Sequence, residues 1–286
     1  MNDQILYCKD LVRRRDRDRY WCALLTAQPF KNDLFALYAL NAEISEIGFS
    51  VTEPLIGQMR LRWWLDALTL IYDGNPPNNP VAVALSKLVS KRKISRSILE
   101  RLIEGRKQDL DNQPMETLEA LKTYALDTSS SLIELSLAIT GINNDISRHT
   151  AHHLGVAWTL LGTIRSIPFN IQRNRVLLPV ELCTKHGFRS QPLLDQGYLG
   201  QSPDGMQGVV FELMSDTQTH LNQARSGWMQ IGNQFTSPLL IATLADGYLA
   251  ELKDKNGDQF QLNHRRQGPR VRDMIRLKVA ALRGRF

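Results

Sequence analysis

Acidic residues are absent from one long stretch of this sequence. The chain of 286 residues carries 29 Asp and Glu, yet none of them lies between positions 146 and 180. Four arginines lie in that stretch, namely Arg148, Arg165, Arg173 and Arg175. Mg²⁺ is bound in proteins mainly through carboxylate oxygens, so this segment contributes no ligand of that kind.

Several other features are also missing. No run reaches the roughly 18 consecutive apolar residues of a transmembrane helix, and the N-terminus has neither the apolar core of a secretory signal nor the acid-free composition of a transit peptide. The three cysteines show no CxxC or zinc-ligand spacing, which indicates buried thiols in a reducing compartment. GxSxG, GxGxxG and P-loop motifs are absent. We therefore expect a protein without a membrane span and without a common nucleotide or serine-hydrolase motif.

The apolar residues that are present recur at helical spacing through most of the chain. Leu34, Leu37, Leu40 and Ile44 illustrate the pattern, and no segment shows the alternation of a sheet strand. Pro168 predicts the end of one helical run, and the Gly- and Pro-rich segment 187–208 predicts a loop. The sequence thus predicts one all-α domain spanning residues 1–286.

Two pairs of acids are close together in the sequence, and one of them has the spacing that a carboxylate pair requires. Glu43 and Glu46 share a face of one predicted helix, where they could hold Mg²⁺ or exchange protons, or simply face solvent. Asp109 and Asp111 are two residues apart and point in different directions, which favours a solvated helix end.

Histidines and adjacent tryptophans give two further candidates. The spacing of His149, His152 and His153 would let two imidazoles meet one metal, but no acid or cysteine nearby completes the ligand shell. A partly exposed helix start is therefore the favoured interpretation. Trp63 and Trp64 face different ways, so we expect one in the core and the other at a cavity, or both in the core.

The C-terminal segment 264–286 concentrates the positive charge of the chain. It holds eight Lys and Arg against the single acid Asp273, so the remainder of a chain with net charge +6 is close to neutral. Its apolar residues form one helical stripe, listed as Val271, Met274, Ile275, Leu282 and Phe286. Its basic residues fall largely elsewhere and are candidate membrane contacts: Arg272, Arg276, Lys278, Arg283 and Arg285.

This basic amphipathic helix has two compatible interpretations. It could pack on the core with a charged outer face, or dock onto an anionic membrane surface. Nucleic acid is not expected as a partner, because the segment lacks interleaved aromatic residues and the remaining surface is not basic.

Blocks spread over nearly the whole chain resemble the squalene/phytoene synthase superfamily. They read YCKDLVRRRDRDRY, LFALYALNAEI, LRWWLDAL, RLIEGRKQDLD, YALDTSSSL and LGVAWTLLGTIRSIPFNIQRNRVLLPVELCTKHG. Members of that superfamily are all-helical enzymes that join two prenyl diphosphates head to head around Mg²⁺ held by two Asp-rich motifs on facing helices. The resemblance implies an isoprenoid-synthase-like helical bundle around a central cavity.

The chain departs from the family pattern where the metal ligands belong. The resemblance places Gly48, Phe49, Ser50 and Thr52 at the first acidic motif, and Ser166, Phe169 and Asn170 at the second. Without Mg²⁺ the burial of two diphosphates is costly, and ionisation of an allylic diphosphate lacks its Lewis acid. The resemblance therefore implies no metal, no cofactor and no catalytic residue.

Other blocks resemble the non-catalytic branch typified by mitochondrial respiratory complex I assembly factor 6. These are IGQMRLRWW, IYDGNPPNNPVAVAL, DTSSSLIEL and LPVELCTKHG. This likeness implies a non-catalytic factor that assists assembly of NADH:quinone oxidoreductase at the membrane surface, with complex I subunits or assembly proteins as partners. We expect a cytoplasmic protein, peripheral on the inner face of the inner membrane, or on the matrix side in a eukaryote.

Two alternatives stay open at this point. One is a Mg-dependent head-to-head prenyltransferase in which Glu43 or Glu46 supplies the missing ligands. The other is an isoprenoid or lipid carrier whose cavity is lined by Phe35, Tyr38, Trp64 and Tyr124. Arg165 and Arg175 would then meet a polar head group, unless each forms an ion pair with a neighbouring helix.

Overall fold

A computed structural model describes residues 3–111, 113–196, 202–228, 237–261 and 269–286. Within these ranges it contains fourteen α-helices and no strand, which confirms the predicted all-α class. In chain order the helices are α1 (Asp3–Arg15), α2 (Arg17–Leu24), α3 (Phe30–Ser50), α4 (Pro54–Tyr72), α5 (Pro80–Lys91), α6 (Arg96–Glu104), α7 (Leu118–Ala125), α8 (Ser131–Ile139), α9 (Asp145–Ile171), α10 (Val180–Lys185), α11 (Gln191–Gln196), α12 (Met206–Trp228), α13 (Ile241–Asp254) and α14 (Val271–Arg283).

Short helices of other types join some of these elements. A 3₁₀ turn, Gly105–Leu110, follows α6, and a π-helical turn, Leu126–Ser130, connects α7 to α8 without a loop. No helix in the described part of the chain is long and apolar enough to cross a membrane.

The hydrophobic core consists of two clusters that share α8. Leu132, Leu135 and Ile139 of α8 belong to the N-terminal cluster, which is built mainly by α1 and α3 to α6. Ile133 and Leu137 belong to the second, built mainly by α9, α12 and α13. Because helical spacing places these two sets on different faces of α8, this helix joins both halves of the core.

Helix α9 is the longest element and packs against α12, α8, α7 and α13. It begins at a capping box in which Asn144 accepts from the backbone N–H of Ser147, whose hydroxyl accepts from the N–H of Asn144. Pro168 does not end it, so that prediction is wrong. Proline removes one N–H donor but leaves its carbonyl free, and the Pro168 carbonyl accepts from Gln172 in the last turn.

The segment 187–208 is more ordered than its Gly and Pro content predicts. It contains α11 and the start of α12, and residues 197–201 lie outside the described ranges. Phe188, Leu193 and Met206 are at most 5% exposed. Burial of these apolar side chains stabilises local helices despite the weak local propensity. The loop prediction is therefore wrong for 191–196 and 206–208, and it is confirmed for 187–190 and 202–205.

Candidate functional site

A cavity of about 340 Å³ opens between α2, α3, the 3₁₀ turn Gly105–Leu110, α7 and α9. This volume lies at the small end of the ~300–1,000 Å³ typical of small-molecule sites. Four of the positions that the family resemblance assigns to the two acidic motifs line this cavity. Gly48 and Phe49 line the cavity from α3, and Ser166 and Asn170 line it from α9.

The wall formed by α9 is polar but uncharged. Thr159, Thr163, Ser166 and Asn170 follow one another at spacings of four, three and four, which is one helical face. The hydroxyl of Thr163 donates to the Thr159 carbonyl, that of Ser166 donates to the Thr163 carbonyl, and the Asn170 amide donates to Ser166 Oγ at 3.1 Å. These donors are bonded within the helix. The acid-free stretch of the sequence thus forms a neutral wall.

Arg175 enters the cavity from the segment after α9. Its Nε donates to Asn170 Oδ1 at 3.2 Å. Burial lowers the pKa of its guanidinium, and the neighbouring charge of Arg173 lowers it further, while Asp109 acts in the opposite direction. An arginine keeps its charge in spite of such a shift, so this side of the cavity is cationic.

One cavity carboxylate, Asp109, is held by a buried network on the 3₁₀ turn. Arg106 donates to Asp109 at 3.3 Å, to the Tyr124 hydroxyl at 2.8 Å and to Asn41 at 3.0 Å. Tyr124 in turn donates to the second Asp109 oxygen at 2.8 Å. Both carboxylate oxygens therefore have protein donors. The sequence prediction that Asp109 is a solvated helix end is wrong, because the turn directs it inward.

The other cavity carboxylate, Asp16, caps α2. It accepts from the backbone N–H of Arg19 at 3.0 Å and from the Arg19 guanidinium at 2.7 Å. Asp16 and Asp109 are thus each bonded to an arginine of the same cavity. Across the described ranges, no group of three or more His, Cys, Asp or Glu has the arrangement to hold a metal ion.

Close packing prevents a carboxylate at Gly48. A Cβ atom at this position would lie 2.8 Å from the Asp109 Cβ and 2.9 Å from the Asp109 carbonyl oxygen. Separations below 3.0 Å require one element to move, and here one neighbour is backbone. The approach of α3 to the 3₁₀ turn therefore excludes any side chain at this motif position.

Two of the predicted motif positions form an aromatic contact beside the cavity, in an adjoining cleft. Phe49 and Phe169 meet edge to face with centroids 5.6 Å apart, and both are more than 40% exposed. Arg173 stacks on the Phe169 ring at 3.7 Å. Ser50 lies outside the cavity and accepts from Arg60. Thr52 is exposed between α3 and α4.

Several residues predicted for the cavity lie elsewhere. Tyr38 and Trp64 are 3% exposed and, like Phe35, belong to the N-terminal core cluster. Trp63 packs on Trp64 from the surface. Tyr124 does line the cavity. Packing in the N-terminal cluster fixes which faces of α3 and α4 point into the core. Tyr38 and Trp64 lie on those faces, so neither side chain reaches the cavity.

Arg165 lies in an adjoining cleft rather than in the cavity. It pairs with buried Asp18 at 3.5 Å and stacks on the Tyr248 ring at 3.6 Å, while the Tyr248 hydroxyl donates to Asp18 at 2.7 Å. The ion-pair interpretation of Arg165 is therefore confirmed. Desolvation raises the pKa of Asp18, and Arg165 and Tyr248 oppose that rise.

Glu43 and Glu46 do not line the cavity. Glu46 pairs with Arg15 at 3.0 Å in the adjoining cleft. Glu43 is half-buried on another face of α3, and burial raises its pKa. Burial also raises the pKa of the Cys8 thiol, and the charge of Glu43 adds to that rise. Asp111 is exposed. Neither glutamate lies in the cavity, where the prenyltransferase alternative requires a metal ligand.

The predicted histidine group gains a member from α12. His153 lies 4.4 Å from His149 and 4.6 Å from His152 between ring centroids, and its Nδ1 is 2.9 Å from Nδ1 of His220. Burial and the neighbouring rings lower the pKa of His153 to about 4. Asp216 of α12 lies 4.0 Å from His220, but among the described residues these side chains do not have the arrangement to hold a metal ion.

Known proteins share both the sequence pattern and the fold. The squalene/phytoene synthase family profile matches residues 12–273. The chain is 33% identical over 255 residues to NADH dehydrogenase (ubiquinone) complex I, assembly factor 6, of Bos taurus, covering 89% of this chain and 75% of the relative. It is 22% identical to 15-cis-phytoene synthase of Synechococcus elongatus, with 96% and 92% coverage.

Among solved structures, a dehydrosqualene synthase in complex with ligand superposes with a TM-score of 0.82 at 17% identity, covering 98% of this chain and 96% of that one. At this identity the match establishes the helical fold. The profile match, which spans most of the chain, establishes the family. This chain is therefore a member of the squalene/phytoene synthase family.

Proposed function

We propose that this chain is a non-catalytic factor that assists the assembly of respiratory complex I, peripherally at the inner face of the membrane. The observation that carries the proposal is the 33% identity over 89% of the chain to a relative named as a complex I assembly factor. A fold shared with synthases does not by itself indicate synthase activity.

The electrostatics of the cavity support the non-catalytic part of the proposal. Its two carboxylates, Asp16 and Asp109, already accept hydrogen bonds from Arg19 and Arg106. Binding a divalent cation there would break these bonds and place the metal charge beside two guanidinium groups. That arrangement opposes the Lewis-acid role that diphosphate ionisation requires, so we propose that the protein uses no metal.

The cavity wall gives no replacement for the metal ligands. The Thr163, Ser166 and Asn170 donors of α9 are bonded within the helix, Asn170 Oδ1 accepts from Arg175, and Glu43 and Glu46 lie outside the cavity. The carrier alternative also loses support, because Tyr38 and Trp64, which would have formed its apolar wall, are in the core.

The test of the assembly role is a deletion strain of the source organism. We expect less assembled complex I on native gels and lower NADH:quinone oxidoreductase activity in its membranes. The intact gene should restore both. Normal complex I in the deletion strain would contradict the proposal.

A second measurement tests catalysis directly. Purified protein incubated with farnesyl or geranylgeranyl diphosphate and Mg²⁺ should form no C30 or C40 product. A product that persists in a Glu43→Ala, Glu46→Ala double variant would show catalysis by other groups, and one that disappears would assign it to these glutamates. Either result would refute the non-catalytic proposal.

A further inference from the structure

Helix α14 has two apolar faces instead of one. The inner face packs on the protein through Leu277, which is 1% exposed, with Ala280 and Ala281 beside it. The outer face is a stripe of aliphatic side chains in solvent. They are Val271, Ile275, Val279 and Leu282, with exposed fractions of 70%, 59%, 39% and 88%. Met274 and Phe286, predicted for the same stripe, are only partly exposed.

Basic side chains border this outer face on both sides. Helical spacing of 100° per residue places Arg272, Arg276 and Arg283 along one border and Lys278 along the other. All four are exposed, as is Arg285 beyond the helix end. Among the described residues, Arg276, Lys278, Arg283 and Arg285 form no ion pair that would neutralise them.

The only acid of α14 is directed away from this surface. Asp273 is 5% exposed and accepts from the backbone N–H of Arg270 at 2.9 Å. It lies against Gly247 of α13, where a Cβ would meet its Oδ1 at 3.0 Å. The outer face therefore combines an aliphatic centre, basic borders and no acidic side chain.

A groove adjoins one basic border. It measures about 560 Å³ and runs between α13 and α14, with Arg276, Arg283 and Arg285 beside Ile275, Val279 and Phe286. Asp246 of α13 also lines the groove, and its carboxylate pairs with Arg225 at 2.6 Å. Guanidinium groups bind phosphate oxygens in a planar, bidentate geometry. The groove therefore offers both an anion site and an aliphatic surface next to it.

We infer that the outer face of α14 docks in the plane of an anionic phospholipid surface, with a lipid phosphate at the groove. This inference depends on the proposed function only in placing the protein at a membrane. In-plane helices bury their apolar face at the headgroup boundary while basic side chains contact anionic lipids. A second copy of this chain is a poorer occupant, because two such surfaces would bring like charges together.

The test uses the purified full chain and lipid vesicles, so it is independent of complex I. Sedimentation is compared between vesicles of phosphatidylcholine alone and vesicles with about 30% phosphatidylglycerol. We expect binding to the second kind only, weakened by added salt because the attraction is screened. No binding to anionic vesicles, or equal binding to both kinds, would overturn the inference.

Paired variants separate charge from apolar contact. Each basic residue at an anionic surface strengthens binding by about fivefold, so Arg276→Glu with Arg283→Glu should weaken it by at least ~25-fold. Ile275→Asp with Leu282→Asp should weaken it by about tenfold or more, because aliphatic burial is lost. These side chains are exposed, so the fold should persist, as circular dichroism would verify.

Matched controls come from α4, which also exposes apolar residues. Met59 is 65% exposed, and the Arg62 side chain is 73% exposed. Met59→Asp and Arg62→Glu should leave vesicle binding within about twofold of wild type. If these controls weaken binding as much as the α14 variants do, α4 is the docking surface and the inference is wrong. If the purified protein binds anionic vesicles but the deletion strain assembles normal complex I, the proposed function is refuted and this inference is not.

Discussion

Replacing Arg165 with methionine should destabilise the protein by about 2–3 kcal/mol at neutral pH, because Asp18 would lose its cationic partner. The Asp18 side chain is 10% exposed and that of Arg165 is 28% exposed, so the pair is closer to a buried ion pair than to a surface one. Removing one partner of a buried pair costs about 3–5 kcal/mol. The 3.5 Å separation and the retained hydrogen bond from Tyr248 place the expected loss below that range. Methionine preserves the packing of the aliphatic stem.

The loss of stability caused by Arg165→Met should be larger at neutral pH than at acidic pH. Burial raises the pKa of Asp18 above its ordinary value of 3.8, and Arg165 opposes this rise, so the substitution raises it further. A carboxyl whose pKa is raised by folding favours the folded state when protonated and disfavours it when charged. The deficit of Arg165→Met should therefore be largest at about pH 7.5 and shrink towards pH 4.

Urea unfolding of the wild type, Arg165→Met and Asp18→Asn/Arg165→Met at both pH values is the assay. The double variant should recover most of the loss, since it leaves no buried charge. Arg62→Met removes an exposed pair with Asp66 and should cost less than about 1 kcal/mol. An Arg165→Met deficit below about 0.5 kcal/mol, or one that is equal at both pH values, would refute the structural role of this arginine.

Three further predictions test other contacts. Gly155→Ala on α9 should lower the free energy of unfolding by about 3 kcal/mol or more, measured by thermal unfolding, because the new Cβ would lie 2.4 Å from backbone atoms of Ser130. The control Gly162→Ala has no neighbour within 4 Å of the new Cβ and should be neutral or stabilise by up to about 1 kcal/mol. Gly48→Asp should destabilise by about 2–3 kcal/mol without creating Mg²⁺ affinity in calorimetry; a gain of affinity would contradict the packing argument. The free energy of unfolding should fall as the pH drops from 6.5 towards about 4. Burial and adjacent rings lower the pKa of His153 in the folded state, so the unfolded chain takes up the proton at a higher pH than the folded chain does. His153→Asn should flatten that dependence, and an unchanged slope would exclude His153 as its source.

The sequence predicted the elements well where the deciding interactions are local. The spacing of Leu34, Leu37 and Leu40 identified α3, and all three are fully buried. The class of fold followed from such spacing, whereas the family was suggested by the resemblance of whole sequence blocks. Helix ends were less predictable, because whether Pro168 stops a helix depends on the turn that follows it.

The site was less predictable, because its contacts join distant parts of the chain. Asp18 and Arg165 are 147 positions apart, and His153 and His220 are 67 apart, so no local pattern links either pair. Which face of α3 meets the cavity is set by packing in the N-terminal cluster. That explains why Tyr38 was assigned to the cavity although it lies in the core. The one available signal was the alternation of basic and acidic residues at positions 13–19, which includes Asp16 and Arg19.

The contact between Gly48 and Asp109 limits which residues position 48 can accept. An acid introduced there would weaken the fold before any metal could compensate for it. The 3₁₀ turn would have to withdraw at the same time, which requires coordinated changes in two segments. Homologues with a bulkier residue at this position should therefore show that turn displaced from α3, and no single substitution at position 48 is expected to place an acid in the cavity without a loss of stability.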